Sequence, residues 1–252
     1  MRSFKDIKEW IDFRSKINNS SNIGFVPTMG SLHEGHISLI KRSIKENRHT
    51  VVSIFINPTQ FNNKNDLKKY PINIKRDLKI LESNGVEYVI LPTEKDIYRN
   101  GYNYRISEHN YSLQMEGLSR LGHFEGVLTV VMKLFNIVQP QSAYFGEKDF
   151  QQFKLIKRMC KSFFMNIDII SCKTIREKDG LAYSSRNLLL NDSERDIAPK
   201  FYQTLISKKS IEEMSEDLEK YGFIVEYIQK VNDRIFGSVK LGKVRLIDNE
   251  TI

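Results

Sequence analysis

The residues best suited to chemistry sit where strand patterns give way to turns. His33 and His36 lie three apart, just after the turn-forming stretch Pro27, Thr28, Met29, Gly30 and Ser31, with Leu32 between. Ahead of that stretch Ile23, Phe25 and Val26 read as a buried strand; behind it Ile37, Leu39, Ile40 and Ile44 recur at helical spacing. The pattern predicts a helix opening at His33 or Glu34, with both imidazoles on one face of its first turn. Unpaired backbone N–H groups and the positive end of the helix dipole meet there, which makes a seat for a phosphate chain. Imidazoles beside such a seat can donate to phosphoryl oxygens as charge builds in a transition state. Gly35 removes a side chain where a base or ribose would approach the backbone. A zinc pair, or two surface histidines at a helix start, also fits His-x-x-His alone.

Three further groups stand at comparable junctions. The β-branched run Thr50–Ile56 predicts a buried parallel strand, and Asn57 and Gln60 beyond its end are placed to hydrogen-bond something small. Asn57-Pro58 can equally be a plain turn. Gly146, Glu147, Lys148 and Asp149 lie between a short strand, Ala143–Phe145, and a helix over Phe150–Phe164. There Lys148 can neutralise phosphate and Asp149 can accept from ribose hydroxyls, or Asp149 can simply cap the helix. In the loop after Thr174, the hydroxyls of Ser184 and Ser185 and the Arg186 guanidinium can bind phosphate oxygens, although a Ser-Ser turn needs no ligand.

The elements that must position these groups alternate. Residues 3 to 17 carry apolar residues at near-helical spacing and predict an amphipathic helix. Asn62–Tyr70 is polar and reads as a mobile loop. Ile74–Leu81 predicts a helix closed by Asn84-Gly85, and Glu87–Leu91 a strand. Leu121–Gly126 reads as a turn into an apolar helix, Val127–Val138, stopped by Pro140, with a further strand at Ile167–Cys172. Strand–helix alternation implies right-handed crossovers and a Rossmann-like parallel sheet over residues 1–173. Residues 174–187 read as a hinge carrying the Ser-Ser-Arg loop, and 188–252 as a small α+β domain. That domain has helices at Asp192–Ser207 and Ser210–Tyr221 and strands at Val225–Val231 and Val244–Ile247. Gly237–Lys243 matches the start of a P-loop, but Val244 replaces the required Ser or Thr and a strand follows, which excludes it.

Composition bounds the function. A 252-residue chain that is 40% hydrophobic supports one large or two modest domains. No run of about eighteen apolar residues exists and the N-terminus has no signal-peptide core, so the expectation is a cytoplasmic protein without membrane contact. Cys160 and Cys172 lack Cys-x-x-Cys spacing, which argues against a disulfide framework or structural zinc. The net charge of +8 invites a nucleic-acid reading. The basic clusters, such as Lys64–Lys69, lack interleaved aromatic platforms, so no nucleic-acid partner is expected.

Five blocks taken together carry a resemblance. They are Pro27–His36, Phe55–Phe61, Gly122–Val131, Phe145–Gln152 and Arg176–Asn187, followed by Arg245–Asn249. In this order they are similar to the pantoate–β-alanine ligase family, within the nucleotidyl-transferring, class I synthetase-like Rossmann group. The resemblance implies ATP-dependent condensation of pantoate with β-alanine through a pantoyl adenylate, with release of AMP and pyrophosphate. It also implies Mg2+ on the ATP phosphates with no protein metal cage, and a homodimer. By resemblance Pro27 to His36, Gly146 to Asp149, Ile175 and Tyr183 to Arg186 bind ATP, with His36, His33, Lys148 and Arg186 as the catalytic groups. Gln60 and Gln152, with Asn57, hold pantoate and β-alanine. The rival readings are a nucleotidyltransferase, which has no use for the glutamine pair, and an RNA-binding module.

Overall fold

The computed structural model describes residues 1–17, 22–62, 67, 68 and 70–252. Most of the stretch expected as a mobile loop lies outside those residues. Contacts divide the chain into two units: Met1–Leu32, His36–Gly146 and Gln151–Cys172 form the first, and His33–Gly35, Glu147–Phe150 and Lys173–Ile252 the second. Residues 174–187, expected as a hinge, count with the second unit.

The first unit is built on a six-stranded, wholly parallel sheet. Its strands are β1 (Arg2–Phe4), β2 (Ile23–Thr28), β3 (His49–Ile54), β4 (Tyr88–Ile90), β5 (Ser142–Gly146) and β6 (Asp168–Cys172). Their spatial order is β1-β4-β3-β2-β5-β6. From β2 the chain steps to β3 on one side, whereas β5 lies on the other, with Gly24 opposite Ser142 and Phe25 opposite Ala143. The strand order therefore reverses between β2 and β5, and ligands of open parallel sheets bind beyond the strand ends at such a switch point. Buried β-branched and aromatic residues of these strands (Val26, Val52, Val89, Tyr144) pack with Leu32, Ile40 and Leu81 into one core.

Two local expectations fail for physical reasons. Phe4 belongs to an edge strand, since pairing of Arg2–Phe4 with Tyr88–Ile90 overrides the helical spacing; the helix is only Ile7–Arg14. The central helix starts at His123, so Gly126 is inside it and not in a turn. A Cβ at Gly126 would sit 2.6 Å from the Thr59 carbonyl oxygen, so the glycine lets that backbone pass. The other end of this helix is capped from far away in sequence. Trp10 Nε1 donates to the Ile137 carbonyl at 2.9 Å and Arg14 to those of Val138 and Gln139 at 3.1 Å, satisfying orphan carbonyls of the last turn.

In the second unit three antiparallel strands, β7 (Phe223–Val231), β8 (Arg234–Leu241) and β9 (Val244–Thr251), pack on helices Pro199–Leu205 and Ile211–Lys220. β8 was not anticipated. The expected helix Asp192–Ser207 is two, Asp192–Ile197 and Pro199–Leu205, because Pro199 has no N–H to continue the first. The P-loop-like stretch is a strand and a hairpin: Gly237 admits the Phe201 ring, 2.9 Å from where its Cβ would lie, and Gly242 takes φ +56° in the turn before Val244.

Candidate active site

In the first unit the chain leaves β2 through Met29 and reverses at Gly30 and Ser31, both in the left-handed region at φ +79° and +52°. The turn is held by a residue that sequence reasoning missed. Asp77, wholly buried on the helix Ile74–Ser83, accepts from the backbone N–H of Ser31 at 2.8 Å and of Leu32 at 2.9 Å. An acidic residue on an amphipathic helix ordinarily faces water, so nothing in the pattern marked it. Thr28 Oγ1 donates to the Ser53 carbonyl and accepts from the Gly30 N–H, and the Leu32 side chain joins the core. Within this stretch Thr28, Leu32 and Asp77 give the loop its shape, whereas Pro27 and Met29 are half-exposed. The helix runs Glu34–Glu46, as expected, and His36 is half-buried in its first turn.

Beyond β3, Asn57 opens a short 3-10 turn, Pro58–Gln60. Its side chain is 1% exposed. Asn57 Nδ2 donates to Gln60 Oε1 at 3.0 Å and to the Gly126 carbonyl at 3.2 Å, while Oδ1 accepts from Tyr98 OH at 2.6 Å and from Thr59 Oγ1 at 2.9 Å. With both donors and its acceptor engaged, Asn57 orients Gln60 and has no group left for a small molecule. Because Gln60 Oε1 faces Asn57, its NH2 is the end available to a ligand. The Gln60 carbonyl accepts from Arg120 at 3.2 Å and from His123 Nδ1 at 2.8 Å. Since Arg120 also reaches His123 Nε2 at 3.1 Å, the ring takes the Nδ1–H tautomer. Burial pushes the Tyr98 phenol up to about 12, so it remains a donor throughout the neutral range. Tyr98→Phe is expected to cost about 0.5–1.5 kcal/mol, the net worth of one hydrogen bond. Urea unfolding should show it as a lower midpoint at unchanged slope.

Gln152 is half-buried on the first turn of Phe150–Ser162, while its neighbour Gln151 is locked away. Gln151 accepts from the Glu116 N–H and donates to the Tyr111 and Gln114 carbonyls. Two adjacent glutamines thus divide into a structural one and an accessible one. At the end of β5, a Cβ on Gly146 would meet nothing within 4 Å, and its φ requires no glycine.

The second unit gathers the remaining candidates. Ile175 and Tyr183 face each other across a small hairpin, the Tyr183 N–H donating to the Ile175 carbonyl and Arg176 bridging to Ala182. The hairpin delivers Ser184, whose Oγ accepts from the Arg186 N–H, to the start of the turn Ser185–Leu189. His33 lies just ahead of its helix and stacks on Tyr183, ring centroids 6.2 Å apart at 18°. The space over Gly35, expected for a nucleotide, holds that same imidazole: a Cβ there would sit 2.9 Å from His33 Cε1. Glu147–Asp149 forms a 3-10 turn with Lys148 half-buried and Asp149 and Glu34 exposed. Arg176, the first residue of its sequence block, has a structural role that the sequence did not indicate. Its guanidinium lies 3.4 Å from the Tyr202 ring centroid and donates to Asp248 at 2.6 and 3.1 Å.

A wholly parallel six-stranded sheet whose strand order reverses between β2 and β5, with helices in the connections, defines a Rossmann-like α/β protein. The chain belongs to the pantoate–β-alanine ligase family, whose model matches residues 1–251. It is 51% identical over 249 residues to the pantothenate synthetase of Legionella pneumophila (strain Lens), with 99% of each chain covered. The Bdellovibrio bacteriovorus pantothenate synthetase is 48% identical over 252 residues, covering 100% of this chain and 98% of that one. Among solved structures it is similar to the Francisella tularensis pantoate–β-alanine ligase complexed with β-γ ATP and β-alanine. That match has a TM-score of 0.95 and 46% identity, over 100% of this chain and 97% of that one. The Thermus thermophilus pantothenate synthetase gives a TM-score of 0.90 at 35% identity, over 100% and 99%.

Proposed function

We propose that this ligase condenses pantoate with β-alanine at the expense of ATP in two displacements. First a pantoate carboxylate oxygen attacks the α-phosphorus, the bond to the β,γ-unit breaks, and pantoyl adenylate and pyrophosphate form. Then the neutral β-alanine amine attacks the acyl carbon, AMP leaves with the C–O bond's electron pair, and the amine's surplus proton goes to solvent. No side chain becomes covalently attached, because the adenylate itself activates the carboxylate and the protein supplies alignment and charge stabilisation. ATP brings Mg2+ on its phosphates as part of the substrate, an ion that keeps several waters and needs no protein cage.

In this reading the loop Pro27 to Leu32, held in shape by Thr28 and Asp77, and the helix start His33 to His36 receive ATP, together with Gly146 to Asp149, Ile175 and Tyr183 to Arg186. His36, His33, Lys148 and Arg186 oppose the charge that grows on the phosphoryl oxygens. Gln60 and Gln152 hold pantoate, and Gln60 also faces β-alanine. The observation that supports the reading is that Asn57 Nδ2 donates to Gln60 Oε1, which leaves the Gln60 NH2 as the donor we assign to an anionic or carbonyl-bearing substrate. A nucleotidyltransferase has no use for that arrangement. We place the enzyme in the cytoplasm, as a homodimer, where its small-molecule substrates are found. Among the described residues no helix is long and apolar enough to cross a membrane.

The direct test is exchange of labelled pyrophosphate into ATP, expected to require pantoate and to proceed without β-alanine. Exchange independent of pantoate would overturn the reading. Gln152→Met removes the amide at similar size and leaves pantoate groups unpaired, at about 1–3 kcal/mol. The expected result is a several-fold or greater rise in the pantoate requirement, with the calorimetric ATP dissociation constant near the parent value. Collapsed ATP affinity with unchanged pantoate dependence would move Gln152 to the nucleotide site.

A further inference from the structure

The turn that carries Lys148 is gripped by one residue of β9. Asn249 is 3% exposed, and its Nδ2 donates to the carbonyls of both Glu147 and Lys148 at 2.9 Å. Its Oδ1 accepts from Arg234, whose guanidinium also stands 3.8 Å from Glu147 Oε2 and 4.0 Å from the Phe150 ring centroid. On the other side the Asn249 N–H donates to Asp248 Oδ1 at 2.8 Å, and Asp248 is held by Arg176. Glu147–Asp149 is a single 3-10 turn, too short to be rigid by its own hydrogen bonds. The fork of one primary amide across two successive carbonyls supplies what the turn lacks, and among the side chains only Asn or Gln offers two donors and an acceptor in that plane. The cluster also senses Lys148 itself. Burial pushes the Asp248 carboxyl up, while Arg176, and more weakly the positive charge of Lys148, pull it back.

We propose that Asn249 is a positioning residue for adenylate formation, acting through the backbone of Glu147 and Lys148 to set where the Lys148 ammonium stands; this rests on the reading of Lys148 as a phosphate-binding group. Loss of the fork leaves Lys148 charged but misplaced, so the effect falls on the transition state for pantoate attack and not on pantoate binding.

Full-length chains carrying Asn249→Ala, Asn249→Asp, Lys148→Ala, and Asn249→Ala with Lys148→Ala together provide the test. Asn249→Ala is expected to lower pantoate-dependent pyrophosphate exchange at saturating substrates about ten-fold, the order of magnitude for a lost pair of hydrogen bonds. The KM for pantoate should stay unchanged. Amide hydrogen exchange at Lys148 to Gln151 should quicken. In the Lys148→Ala background the same substitution should change the rate less than about two-fold, because residues acting as a unit are not additive. Asn249→Asp preserves shape but sets a carboxylate oxygen against two carbonyls, so it should be at least as impaired as Asn249→Ala. Equal fold losses in both backgrounds, an unquickened turn, or a fully active Asn249→Asp would each overturn the role of Asn249. Full exchange activity in Lys148→Ala would overturn the reading of Lys148, and this role with it.

Discussion

His36→Ala is expected to lower pantoyl adenylate formation by about two to three orders of magnitude, the usual cost of losing one preorganised transition-state donor. The motive is its place in the first turn of Glu34–Glu46, where unpaired N–H groups and the dipole already favour negative charge. A donor at that point works most when charge moves onto the phosphoryl oxygens, and ground-state ATP gains less from it. The ATP dissociation constant is therefore expected to change only a few-fold while the single-turnover rate, measured with pantoate and without β-alanine, falls steeply. His36→Gln retains an N–H of comparable reach and should recover part of the loss. An unchanged adenylation rate in His36→Ala would remove His36 from the catalytic groups.

The second large effect belongs to Asp77. Its two oxygens serve the N–H groups of Ser31 and Leu32 one each, in a turn where Ser31 is held at φ +52°. Asp77→Ala leaves two buried donors without an acceptor, at about 1–3 kcal/mol apiece, and releases a backbone conformation that a serine does not hold by itself. A loss of about 2–6 kcal/mol in unfolding free energy is expected from chemical denaturation. Asp77→Asn keeps one acceptor oxygen and turns an NH2 towards the other donor, so its loss should fall near half of that. At a temperature where Asp77→Asn remains folded, its pyrophosphate exchange should still be at least ten-fold below the parent, since the loop ahead of His36 is no longer held. Stability within about 0.5 kcal/mol of the parent in Asp77→Ala would mean that water replaces the carboxylate, and the loop's shape would need another source.

Local periodicity and turn chemistry determined a great deal of this protein. The β-branched and aromatic runs at Ile23–Thr28 and His49–Ile54 announce strands because both faces of a parallel sheet are buried. The helix after His33, the stop at Asn84-Gly85 and the turn before Phe150 follow from residues within a few positions of one another. The blocks around His33, Gln60, Lys148 and Arg186 stand out in the sequence as candidates because their residue types match a chemistry, and the first three follow β2, β3 and β5 along the chain. Only the tertiary structure decided how those groups are held. Phe4 became a strand residue because Tyr88–Ile90 offered a free edge, and Asp77 became a clamp because its helix brings a carboxylate to amides 45 and 46 residues away. Asn57 passed from candidate ligand to orienter of Gln60 through Tyr98 and Gly126, and Asn249 reaches carbonyls 101 and 102 residues distant. A hydrogen bond between residues far apart leaves no period in the sequence, since it depends on where two chain segments meet and not on the neighbours of either.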